Sequence, residues 1–169
     1  RRELPAFFST ERQRTRQLLS HFQEQMAQLF SFEALARRTV EVVAEAFRVR
    51  SVRIFFRPDE SLPWFSAAYH PEPPYLTERI VEAIWPHFRE EGRIWARNPE
   101  LSEAHLPQEL QALLESRHVA LLVPILAKHR PLGLLALGPR RNRHEFYNLE
   151  DLDLLRMLGG QLALAIERL

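Results

Sequence analysis

Hydrophobic positions along this chain recur first every three to four residues, then every second residue, then in near-continuous runs, and finally every three to four again. Between Thr10 and Phe30 an apolar stripe runs through Leu18, Leu19, Phe22, Met26 and Leu29, with no Gly or Pro to interrupt it. That spacing predicts an amphipathic helix. Its other faces carry Arg12, Arg14, Arg16, Gln23, Glu24 and Gln28. So narrow a stripe suits a helix packed on one or two neighbours, as in a coiled coil. Ser31 is a candidate N-cap, with Glu33 in the next turn where the helix dipole favours an acid. A second helical pattern follows through Leu35, Ala36, Val40, Val43 and Phe47. The pattern fits either one helix over 10–48 or two with a kink between them.

From Ser51 the period becomes two, with Val52, Ile54 and Phe56 alternating with Arg53, Phe55 and Arg57, which predicts a strand. Pro58-Asp59-Glu60-Ser61 supplies turn chemistry, and Trp64 to Tyr69 is expected to be the hairpin partner. Pro71, Pro73 and Pro74 mark a rigid loop. Thr77 caps a short helix through Ile80, Ala83 and Ile84 that Pro86 is expected to end or kink. Arg93–Ala96 is a candidate short strand, and Pro107 opens a helix through Leu110, Leu113 and Leu114. Val119–Leu126 and Leu132–Leu137 are apolar on both alternations, so both faces of that part of the sheet are expected to be covered. Asn148, followed by Glu150 and Asp151, starts a closing helix through Leu152, Leu155, Leu158, Leu162, Ile166 and Leu169. This order of elements predicts an α+β fold, not repeating βαβ units.

Composition narrows the chemistry. The 169 residues fit one domain with a real core. Basic and acidic side chains number 23 and 22, for a net charge of +1, which argues against a dedicated nucleic-acid binder. The absence of cysteine removes disulfides, thiolate catalysis, Cys-ligated zinc and thioether-linked chromophores, and it suits a reducing, cytoplasmic setting. No apolar run reaches the roughly 18–20 residues of a membrane span. A chain that opens on Arg rather than Met is expected to be part of a longer protein. Serines lack a Gly-x-Ser-x-Gly context, and no Gly-rich loop cradles phosphate, so no enzyme activity is expected.

The C-terminal third carries a resemblance. His118-Val119-Ala120-Leu121-Leu122-Val123-Pro124-Ile125, Leu132-Gly133-Leu134-Leu135-Ala136-Leu137, and the run from Phe146 through Glu150-Asp151-Leu152 to Ala163-Leu164-Ala165-Ile166-Glu167 resemble the corresponding segments of GAF domains. These are small-molecule sensor modules of signalling proteins. The resemblance covers about 31–169, and the segment 1–30 resembles the linker helices preceding such domains in bacterial sensor kinases.

It implies a GAF/PAS-like antiparallel sheet, with N- and C-terminal helices on one face and short helices and loops over a pocket on the other. It also implies a cytoplasmic, non-catalytic sensor and dimerisation domain. Such a domain would signal through its terminal helices to a C-terminal output domain of histidine-kinase type in a two-component system, in a parent protein either anchored to a membrane or not. A ligand-free domain that only dimerises and holds helix register is the alternative.

Candidate residues follow from both readings. Phe65, Tyr69, Tyr75, Trp85, Trp95 and His118 fall where the family's pocket wall and lid lie, and flat apolar walls suit a planar organic ligand. Arg97 and Asn98 stand where many family members have an acid facing the ligand. The cofactor is left unnamed: a bilin held through Cys is excluded, and the Asn-Lys-Phe-Asp-Glu string of cyclic-nucleotide binders has no equivalent. The seven histidines, at 21, 70, 87, 105, 118, 129 and 144, lack ligand spacing. Only His87, His105 or His118 would serve as a haem's axial ligand, and no metal site is expected. Arg140-Arg141-Asn142-Arg143-His144 is a basic loop, more in keeping with a solvated turn than with a phosphate site. Gly159-Gly160 lies inside a helix, where each Gly costs about 1 kcal/mol relative to Ala, so close approach of another helix or a kink is expected there. With apolar stripes on both terminal helices, a parallel homodimer through Leu18, Phe22, Met26, Leu29, Leu162 and Ile166 is expected.

Overall fold

A computed structural model describes residues 6–69, 76–128 and 130–169. The loop prolines 71, 73 and 74, Tyr75, His70 and His129 lie outside the described residues. In chain order the elements are α1 (Ala6–Met26), α2 (Phe32–Ala46), β1 (Val52–Phe56), β2 (Phe65–Tyr69), α3 (Glu78–Glu91), β3 (Trp95–Ala96), α4 (Gln108–Ser116), β4 (Leu121–Ala127), β5 (Arg130–Leu137) and α5 (Leu149–Arg168). The strands form one open antiparallel sheet in the order β2-β1-β5-β4-β3. This is the α+β architecture that the patterning predicts.

Residues 10–48 form two helices. Ser31 adopts extended backbone, and its hydroxyl accepts from the Ala34 N–H at 3.0 Å, so capping starts α2 afresh. Pro86 neither ends nor replaces a turn of α3, which continues to Gly92. Pro86 is exposed, so the backbone carbonyl it leaves without a helical donor lies on the solvent side, while buried Ile84, Trp85 and Phe88 anchor the helix around it. Gly92 stops α3 in the left-handed region at φ 60°.

Alternation along the strands divides the core in two. Ile54, Phe56, Val123, Leu135 and Leu137 face α1, α2 and α5, whereas Phe55, Trp95, Leu122, Leu134 and Ala136 face α3 and α4. Both faces of the central strands are therefore covered, as their unbroken apolar runs require. Gly133 is fixed by packing: a Cβ there would lie 2.1 Å from the Phe55 carbonyl oxygen across the β1–β5 pair.

α1 and α5 lie side by side in the same direction. Arg12 meets Glu150 at 3.1 Å and Arg16 meets the same carboxylate near the starts of the two helices. Near their ends, the Arg168 guanidinium donates to the Met26 carbonyl at 2.8 Å. Thr15 donates to the Ala46 carbonyl at 2.9 Å, and Arg48 pairs with Glu11 at 2.8 Å, tying α1 to α2.

This packing corrects the expected dimer contacts. Phe22, Met26, Leu162 and Ile166 are buried in the core of a single chain, and Leu18 and Leu29 are half-buried against it. The stripe on α1 faces its own α2 and α5, so Phe22, Met26, Leu162 and Ile166 are not available to a second copy.

Candidate functional site

The expected pocket lies between the sheet and the layer of α3 and α4. Trp95, Leu122, Leu134 and Ala136 project from the sheet into this space, and Ile84, Trp85 and Phe88 descend into it from α3, with Leu114 from α4. Trp95 and Phe88 are each 1% exposed. Trp64 and Trp85 meet edge to face at 5.2 Å. Side chains of the chain itself enter the described part of this layer from both sides.

Of the six residues expected to share a pocket, the five described ones are not brought together. Trp85 and Trp95 lie on the α3/α4 face. Phe65 and Tyr69 lie on the opposite face, because β2 turns positions 65, 67 and 69 toward α2. Phe65 packs on Phe32 at 4.7 Å and on Phe56 at 5.8 Å. A one-residue difference in strand register changes the face of a side chain, and sequence alone does not say which face is the lid. His118 is exposed, in a left-handed turn with φ 61° after α4. Tyr75 lies outside the described residues. His87 and His105 are exposed too, so none of the three candidate axial histidines is buried for haem ligation. Among the described residues no group of three or more His, Cys, Asp or Glu is placed to hold a metal ion.

What the sequence did not disclose is a polar and aromatic latch at the edge of this layer. The Trp64 indole donates to Glu82 Oε1 at 2.7 Å, and the Arg57 guanidinium stacks over the Trp64 ring at 4.1 Å while approaching Glu82 at 3.4 Å. Arg57 directly follows β1 and Glu82 rides on α3, so the latch holds the hairpin to the lid. Its members are up to 25 residues apart, and no local motif announces them.

Beside the latch an open cleft of about 710 Å³ is lined by Arg57, Asp59, Glu60, Trp85, Arg89 and Arg130, among others. Arg57 Nε and Trp85 Nε1 are buried without a hydrogen-bond partner. Each of the three arginines has an acid in reach: Glu82 for Arg57, Glu60 for Arg89 and, at 3.9 Å, Glu167 for Arg130. Hydrogen bonds from Ser61 hold the Asp59 carboxyl below its usual range. The cleft is thus charge-balanced.

The basic loop is also largely committed. Arg140 pairs with Asp151 at 2.7 Å and Glu145 at 3.4 Å, and its guanidinium lies 5.2 Å from the Tyr147 ring centre. Arg141 donates to the Val49 carbonyl at 3.1 Å. Tyr147 donates to the Gly138 carbonyl at 2.6 Å. Burial, reinforced by Asp151 and opposed by Arg140, pushes the Tyr147 phenol above its usual range. Arg140 and Asp151 join the loop after β5 to the capped start of α5, which is a structural role.

Comparison with known proteins agrees with this architecture. Residues 31–168 match the sequence profile described as GAF domain. The chain belongs to the GAF domain family. No curated protein sequence matches it. Among solved structures it is similar to the GAF domain of the cyanobacteriochrome TePixJ, with 21% identity over 85% of this chain and 94% of that one and a TM-score of 0.60. It is also similar to the GAF domain of an Acinetobacter phosphoenolpyruvate-protein phosphotransferase, with 20% identity over 90% and 92% of the two chains and a TM-score of 0.59. A phycocyanobilin-bound GAF domain from a cyanobacterial phytochrome gives 16% identity, 91% and 94% coverage, and a TM-score of 0.64. At these identities the likeness is one of fold. GAF domains are commonly sensor or regulatory modules. Among the described residues, no helix is long and apolar enough to cross a membrane.

Proposed function

We propose that this chain is a non-catalytic regulatory domain that works as a homodimer and relays helix position to an output domain C-terminal to it. A histidine kinase is the output that the family resemblance implies. The observation that carries this reading is the parallel pairing of α1 and α5, pinned at both ends by Arg16–Glu150 and Arg168–Met26. A displacement of α1 is thereby communicated to α5 through contacts at both ends. Such coupling requires two arrangements whose balance an input can shift.

Of the two forms of this role, the ligand-free one is favoured. Trp85, Trp95, Phe88 and Leu134 occupy the layer where a planar guest would sit. A covalently held bilin has no cysteine to accept it. Native mass spectrometry of the freshly purified domain, with an absorbance spectrum of the same sample, tests this reading. Polypeptide mass alone and a featureless visible spectrum are expected. A stoichiometric co-purifying small molecule overturns the ligand-free role.

A further inference from the structure

The outward face of α5 carries a seam whose exposed apolar side chains and second glycine no contact within the chain explains. Asp153, Met157, Gly160, Leu164 and Arg168 follow one another at spacings of four, three, four and four, which places them along one line of the helix. Met157 is 51% and Leu164 66% exposed. Scattered apolar residues on a surface are ordinary, but these two flank a glycine in mid-helix. Gly159 has a reason within the chain, because a Cβ there would collide with the Pro124 carbonyl. Gly160 has none, since nothing lies within 4 Å of where its Cβ would be.

The charges on this face reverse about its midpoint. Asp153 stands at one end of the seam and Arg168 at the other, and along one flank Arg156 precedes Glu167. Laid against itself in parallel, the seam sets Asp153 on Asp153 and Arg168 on Arg168. Laid against itself in the opposite direction, it sets Asp153 on Arg168, Met157 on Leu164, Arg156 near Glu167, and Gly160 at the crossing. We infer that α5 is the docking surface for a second copy of this chain, paired antiparallel and crossing at Gly160.

This inference rests on the homodimer of the preceding section and adds its surface and direction. The charged groups already have intrachain contacts. Asp153 meets Arg156 at 2.8 Å, Arg156 also meets Glu103, Arg168 meets the Met26 carbonyl, and Glu167 lies 3.9 Å from Arg130. The ion pairs of Asp153, Arg156 and Glu167 are exposed contacts of small energy, which a partner's charges join or replace without large loss. Arg168 keeps its part-buried bond to the Met26 carbonyl, and its remaining N–H groups meet the partner's carboxylate. Two-fold symmetry repeats every intermolecular pair, doubling the effect of each. The two C-termini leave such an interface at opposite ends.

Because the chain has no cysteine, single-cysteine variants test the direction directly. Met157→Cys and Leu164→Cys are made separately, given different tags and co-expressed. Sedimentation is expected to give dimers, and mild oxidation to cross-link Met157→Cys only to Leu164→Cys. Identical positions in an antiparallel pair are offset by seven residues, about 10 Å along the axis, beyond the ~7 Å limit between Cα atoms for a disulfide. Efficient cross-linking of either variant to itself indicates a parallel pair and overturns the antiparallel assignment while sparing the homodimer. A monomer by sedimentation overturns both. Dimers without a mixed cross-link overturn the α5 surface. As a second readout, Asp153→Arg and Arg168→Asp are each expected to weaken the dimer at least tenfold, and the double variant to restore it. Failure of the double variant to recover overturns the proposed register.

Discussion

Gly159 of α5 lies against the carbonyl of Pro124 on β4, so closely that a Cβ on the glycine would stand 2.4 Å from that oxygen. The contact sets the height of the closing helix over the sheet. Gly159→Ala is therefore expected to destabilise the domain by about 1–3 kcal/mol, since backbone must move to admit the methyl group. Gly160→Ala meets nothing and should stabilise the dissociated protomer by about 1 kcal/mol. Urea denaturation of the two variants at low protein concentration checks the pair. Equal effects would contradict the packing.

Asp151 serves two partners at once. Its Oδ2 accepts from the Asn148 backbone N–H at 2.9 Å, completing a capping box, and also receives Arg140 at 2.7 Å. Asp151→Ala is expected to lower stability by about 3 kcal/mol, because Arg140 is left buried with only Glu145 in reach. Asp151→Ala combined with Arg140→Met should recover part of that loss in a thermal melt.

Trp95→Ala opens space in the α3/α4 layer. A loss of about 3–5 kcal/mol is expected from a tryptophan this deeply buried. The resulting apolar cavity should take up indole, so that added indole raises the melting temperature of the variant and leaves the parent chain unchanged. An indole-induced rise in the parent chain would mean that the layer already holds a usable cavity.

Tyr147 makes alkaline pH destabilising. Its phenol is raised above the usual value of 10.0 in the folded chain, so the folded state keeps a proton that the unfolded state gives up. Fewer protons bound by the unfolded state means that stability falls as pH rises. The contribution is fully present below about pH 10 and declines above it. Tyr147→Phe should flatten this part of the profile, and should also cost the bond to the Gly138 carbonyl. Chemical denaturation between pH 8 and 11 measures both.

Much of the fold was legible along the chain because the signals are local. Ser31, Thr77 and Asn148 cap α2, α3 and α5 where the pattern places them, since a cap needs only its own next three residues. The doubly covered β4 and β5 follow from apolar residues on both alternations, which no half-solvated strand carries. The exception among the elements is α3, whose passage through Pro86 depends on burial of Ile84, Trp85 and Phe88 against the sheet, a tertiary matter.

The site was less legible, for a physical reason. Periodicity fixes which residues share a face but not what the face meets. Phe65 and Tyr69 share one side of β2 by the strand period, and only the assembled sheet turned that side to α2, away from Trp85 and Trp95. The apolar stripe of α1 was equally clear, and its partner proved to be the chain's own core. The latch of Arg57, Trp64 and Glu82, and the different fates of Gly159 and Gly160, exist only once distant segments touch. Sequence alone determined the elements, their order and the GAF-like α+β fold, because hydrophobic period and capping act over a few residues. Tertiary structure decided which faces are closed and which stay open, because that depends on register and packing between segments far apart in the chain.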